Sequence, residues 1–171
     1  MSNSPTSPLA SAILISWRRN GAYAQRLVGD LSDEQMTAQP VPGRMLNHPV
    51  WILSHLTVYT QVSSALLRSE EFLDPINHPY GQKSEPLADP AAYQSRQELL
   101  EHYRRAHDDA EAALQAASIS VFSAPTPIER WRKLHPTVGD MLVTLMVKHE
   151  SAHLGQLSAW RRAMGLPRVA M

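Results

Sequence analysis

Near its C-terminus the chain reads His149-Glu150-Ser151-Ala152-His153-Leu154-Gly155-Gln156, with two histidines four residues apart. Four residues is just over one helical turn, so both imidazoles leave the same side of a helix, one above the other. That spacing suits two ligands of one divalent metal ion. A third protein ligand has to come from upstream, because residues 154–171 contain no Asp, Glu, His or Cys. The same five residues match the helical zinc-protease pattern, in which the glutamate is a general base. One protease class needs glycine at 156 and histidine at 159, where this chain has Gln156 and Ala159; another needs a later glutamate that is absent. The missing third ligand argues against proteolysis.

Ser7-Pro8, His48-Pro49 and Asp89-Pro90 each place a capping side chain before a proline, which favours the first helical turn. Thr137 with Asp140 three residues on forms a fourth start, close to a capping box. Apolar residues at helical spacing follow each of these. The reading is a first helix over 8–28 with a kink at Asn20-Gly21, a second over 49–69 and a third over 90–117. A last helix covers 138–164, ended by Gly165 and Pro167, and a short helix starts at Ser32. Nothing alternates as a strand does. The fold class is therefore all-α, a four-helix bundle in one domain spanning 1–171. Its connections at 70–89 and 118–136 are long and irregular, suited to crossing the bundle or covering a site.

On the last helix one stripe runs Leu142, Leu145, Met146, His149, Ala152, His153, Gln156 and Ala159, which puts both histidines and the glutamine on the inward face. The second helix carries Ile52, His55, Leu56, Tyr59, Val62 and Leu66, with His55 in the middle. The third carries Leu100, Tyr103, His107, Ala110 and Leu114. An inward histidine must find hydrogen-bond partners or bind a metal. His107, alone on its stripe, reads as a core histidine. His55, His149 and His153 together read as metal ligands. Trp51, Trp131 and Trp160 read as packing residues.

Composition narrows the field. With 171 residues, 43% apolar and 19% charged, the chain is long enough for one globular core. Sixteen basic and sixteen acidic residues cancel and are interleaved, so no basic field for nucleic acid is present. There is no cysteine, which excludes disulfides, cysteine zinc fingers and a nucleophilic thiol of the chain's own. The apolar stretch from Leu9 to Trp17 is too short to span a bilayer and is not led by arginine, so the expectation is a soluble cytoplasmic protein without membrane contact.

The whole pattern resembles the DinB-like superfamily of metal-binding four-helix bundles. The resemblance covers nearly all of the chain: a leading helix, Leu31-Ser32 through Pro42-Gly43, Trp51-Ile52-Leu53-Ser54-His55-Leu56, and His149 through Gln156 and Arg161. In that family one metal histidine lies on the second helix and a His-x-x-x-His pair on the last, commonly running on to Gly-Gln. These positions are His55, His149 and His153 here. The family's name comes from a DNA-damage-inducible member, but the balanced charge of this chain gives DNA binding no support. Its members include transferases and isomerases that use low-molecular-weight thiols, and the resemblance also implies a homodimer.

Three neutral imidazoles leave a divalent charge uncompensated, and a closed structural zinc site would take four ligands, so the expected site is open to water or substrate. Such a metal lowers the pKa of a bound water or thiol. Without a cysteine in the chain, a thiolate has to arrive as cosubstrate. The expectation is a metal-dependent enzyme transferring a small-molecule thiol to an electrophile, with hydrolysis on the same ligands or a non-catalytic metal-stabilised bundle as alternatives. Zinc or nickel heads the list of metals, with iron next, since imidazole suits them all. Glu150, as a base, and Gln156, one turn beyond His153, are the candidate catalytic residues.

Overall fold

Each long helix begins where a side chain satisfies an amide that the helix itself leaves free. The computed structural model describes residues 7–87 and 89–170; residues 1–6, 88 and 171, which the single-domain expectation includes, lie outside the described residues. Helix α1 (Pro8–Val28) starts at Ser7, whose hydroxyl accepts the Ala10 amide at 3.1 Å. Helix α2 (Pro49–Arg68) starts at His48, whose Nδ1 accepts the Trp51 amide at 3.3 Å. Helix α3 (Arg96–Ala116) opens on a full capping box of Ser95 and Glu98. After two short helices, α4 (Ile119–Ser123) and α5 (Glu129–Arg132), the Thr137–Asp140 capping box opens α6 (Val138–Val143). Helix α6 passes without a break through a π turn (Thr144–His149) into α7 (Glu150–Ala163).

Gly165 ends this rod at φ 71°, a left-handed conformation that costs glycine little. Its amide reaches Arg162 O at 3.1 Å and the Leu166 amide reaches Arg161 O at 3.0 Å, which is the Schellman pattern.

The all-α expectation holds: the described residues contain no strand, only an isolated bridge between Pro125 and Thr137. Details differ. The third helix starts at Arg96 rather than Pro90. Asp89 does cap a turn, but Pro90–Ala92 is a single 3-10 turn. The chain then leaves helical geometry at Tyr93, whose hydroxyl accepts the Leu87 amide at 2.6 Å and whose ring meets His48 edge-on. The short helix expected from Ser32 is likewise only a 3-10 turn, Gln35–Thr37, with Glu34 at its N-cap. Helix α1 continues unbroken through Asn20-Gly21. Gly21 is there for space, since a Cβ would stand 2.6 Å from His107 Cε1. The 118–136 stretch is more ordered than expected because it holds α4 and α5.

Helix α1 packs against α3 and α7, and α2 packs against α3, the π turn and α7. Two apolar cores stack along the helices. One gathers Trp17, Tyr59, Val62, Ala110, Leu114, Leu142 and Met146; the other gathers Leu27, Ile52, Leu56, Leu99, Tyr103, Leu154 and Leu157. Burying such side chains stabilises by about 1.5–3 kcal/mol each. Between the cores lies a layer of polar residues: His55, His107, His149, Glu150 and His153. The long connections are tied to each other by Arg130 of α5, which grips Asp74 through two bonds of 2.6 Å and Gln82 at 2.8 Å. No helix among the described residues is long and apolar enough to cross a membrane.

Candidate metal centre

His55, in the middle of α2, is 5% exposed and belongs to the inner wall. His149 closes the π turn and His153 sits one turn into α7; both are half-buried. Each ring offers one nitrogen, and the three nitrogens lie within 4.8 Å of one another. Among the described residues this is the group able to hold a metal ion. His55 Nε2 and His149 Nε2 are 2.9 Å apart. Two nitrogens bound to zinc at about 2.0–2.1 Å stand roughly 3.3 Å apart in a tetrahedral set. The spacing fits a shared cation after a small adjustment.

Hydrogen bonds fix which nitrogen of two rings is available. The Nδ1–H of His55 donates to the carbonyl of Tyr80 at 2.7 Å, leaving the Nε2 lone pair for the centre. Gln156 does the same for His153: its Oε1 accepts Nδ1–H at 3.1 Å and is itself held by the Asn47 amide at 3.2 Å. Such partners orient a ligating imidazole and raise its basicity. His149 Nδ1 is buried without a partner among the described residues. Aromatic rings set the remaining walls. Trp51 stacks on His55 at 4.7 Å, and Tyr59 packs against His55 at 4.8 Å and His149 at 4.9 Å.

Burial, with repulsion from His153, pushes the His55 pKa down to about 4. Burial, with repulsion from His153 and His55, takes His149 to about 3. Burial also lowers His153, against the opposing bond to Gln156. All three are thus neutral near pH 7, the protonation state a metal ligand requires. The donor set, its spacing and its protonation fit a divalent transition metal.

A DinB superfamily family model matches residues 16–157 of this chain. The chain belongs to the DinB superfamily. No curated protein matches the sequence. The match takes in all three histidines, the loop carbonyl of Tyr80 and Gln156, so the centre described above lies wholly inside the DinB superfamily region.

The last helix of this DinB-superfamily chain departs from its expected stripe. In α6 and the first half of the π turn the buried residues are Val138, Gly139, Met141, Leu142, Leu145 and Met146. After it they are Glu150, Leu154, Leu157, Trp160 and Arg161. Ala152, Gln156 and Ala159, expected on the inward face, are exposed. The buried face has advanced by about one residue, or about 100° of rotation. A π turn inserts one such extra residue. Its effect here is to move His149 and His153 from the centre of the buried face to its edge beside α2, where solvent can reach them.

The two candidate catalytic residues end in different places. Gln156 lies at the centre, bonded to His153. The Glu150 carboxylate is 1% exposed, outside the three-histidine group, and accepts the Tyr103 hydroxyl at 2.6 Å and His107 Nε2 at 3.1 Å. His107, read as a core histidine, is buried as expected. Tyr80 and Asn47 join the centre without a sequence signal. Tyr80 acts through its backbone carbonyl, for which side-chain identity gives no signal, and Asn47 acts across a sequence gap of 109 residues. Trp51, a packing residue by sequence, is also a wall of the centre.

Proposed function

We propose that His55, His149 and His153 hold one divalent transition metal, zinc or nickel before iron, and that the chain is a metal-dependent enzyme transferring a small-molecule thiol to an electrophile. The observation that carries this reading is a trio of neutral imidazoles, two of them locked by Nδ1 partners, at the solvent-reachable edge of the polar layer. A divalent metal there supplies Lewis-acid chemistry and lowers the pKa of a water or thiol that binds it. The chain's own residues set the conditions. His55 is held by the Tyr80 carbonyl and His153 by Gln156, so both lone pairs are committed before a ligand arrives. Trp51 and Tyr59 exclude water from one side. Three neutral ligands leave the net positive charge available to an anionic thiolate, and the absence of cysteine means that the thiol must be a cosubstrate.

The test uses the purified 171-residue chain loaded with zinc, then with nickel, and mixed with glutathione and chlorodinitrobenzene as model thiol and electrophile. Metal-dependent conjugate formation, abolished in His149→Ala, supports the reading. Turnover of ester or amide substrates without any thiol transfer would replace transfer by hydrolysis. No turnover of either kind, with metal bound, would leave a metal-stabilised bundle.

A further inference from the structure

We infer that the buried carboxylate of Glu150, with Tyr103 and His107, holds the π turn in place and thereby aims His149 and His153 at His55. The role is positioning, and it rests on the metal reading only for what the aimed histidines do.

A π turn is a rare geometry that an α-helix does not adopt without compensation. Here the compensation is visible. Glu150 is the first residue after the turn, directly follows the ligand His149, and points the other way, into the core between α1 and α3. A single carboxylate oxygen, Oε1, accepts both the Tyr103 hydroxyl and the His107 ring. The His107 donor is fixed by its packing. The His107 ring lies flat on Trp17, at 3.7 Å between centroids and 7° between planes, and Gly21 leaves it room. Trp17 Nε1 donates to the His107 carbonyl at 3.1 Å. Asn20 adds a bond to Ser151 at 3.1 Å on the next residue of the helix.

Annealing the π turn to α geometry would rotate everything beyond it by about 100° relative to α6. Glu150 would then leave Tyr103 and His107, stranding a buried carboxylate and two buried donors, each costly. The same rotation would carry His153 away from His55. The network and the metal geometry therefore select one helix register together.

Tyr103→Phe deletes one donor, Glu150→Leu deletes the acceptor, and Glu150→Gln keeps an oxygen that can serve both donors. Leu114→Ala, two turns beyond His107 on α3, is a control that lowers stability without removing any member of the network. Cobalt(II) serves as the probe: its affinity by chelator competition and its visible spectrum report ligand geometry. Amide hydrogen exchange over residues 146–154 is measured on metal-free protein. The expected result is a cobalt affinity about tenfold lower in Tyr103→Phe and Glu150→Leu, an altered spectrum, and faster exchange at the turn. Glu150→Gln should stay close to wild type, and Leu114→Ala should lower Tm while leaving spectrum and exchange at the turn unchanged. Unchanged affinity, spectrum and exchange in Tyr103→Phe and Glu150→Leu would overturn the inference, as would equal changes in Leu114→Ala. If Glu150→Leu does not fold, Tyr103→Phe decides. If wild type binds no cobalt, the metal reading fails and the exchange data alone judge this inference.

Discussion

His149 and Glu150 are neighbours in sequence but open onto unlike halves of the same polar layer. On the α2 side, three imidazoles cluster at a solvent-reachable edge, with one buried nitrogen unpaired and two lone pairs directed to a common space. On the α1–α3 side, the carboxylate, the phenol and an imidazole pair with each other and are sealed by Trp17. Polar groups that pair with one another contribute a fixed geometry; polar groups left short of partners are suited to receive a ligand. The molecule uses the closed half to fix the register of a helix and the open half to present nitrogen donors. The π turn between them lets one helix serve both.

Breaking the closed half should have the largest effect on folding. Glu150→Ala leaves the Tyr103 hydroxyl and the His107 ring unpaired in the core, and at about 1–3 kcal/mol for each stranded group should cost roughly 2–6 kcal/mol in urea denaturation of the metal-free chain. Acid should act mainly through the open half. His55 and His149 titrate in the folded chain at about 4 and about 3, below their ordinary value of 6.5. The unfolded chain therefore takes up protons first. The contribution of these neutral rings to stability is complete above about pH 6.5 and is lost progressively as pH falls toward 4. Thermal melts of metal-free protein from pH 7.5 to 4.5 should show this decline, and His55→Ala with His149→Ala should flatten it.

Smaller changes sharpen the contrast. Gly21→Ala places a methyl group against the His107 ring and should destabilise by about 1–3 kcal/mol, although alanine is the better helix former. Gln156→Ala, at an exposed site, should change stability by less than about 0.5 kcal/mol. It should weaken metal binding by about tenfold, because His153 loses the acceptor that orients it. Calorimetry of zinc binding beside thermal melts separates the two effects.

Much of this was legible in the sequence, for identifiable reasons. His149 and His153 share a helix side at any register, and His55 sits in an unbroken apolar stripe, so spacing singled out the three residues and the family resemblance joined them into one ligand set. The all-helical class and three of the four main helix starts followed from capping chemistry. The start of α3 did not, because Asp89-Pro90 and Ser95-Glu98 are both real caps six residues apart. The choice between them was made by Tyr93, pulled out of helical geometry by contacts to Leu87 and His48. The π turn was invisible for a similar reason: residues 144–149 have ordinary helical composition, and the extra residue is paid for by a buried glutamate that looks like a surface residue beside its neighbours. Its consequence, Glu150 inside and Gln156 at the edge, could not be read from a stripe drawn at one constant period.

The most direct measurement is the metal content of the full chain purified without added metal and then equilibrated with micromolar zinc, next to His55→Ala treated identically. The account predicts one equivalent of metal per wild-type chain and none in the variant, with helical circular dichroism preserved in both. Wild type without metal, or a His55→Ala chain that retains a full equivalent, would contradict it.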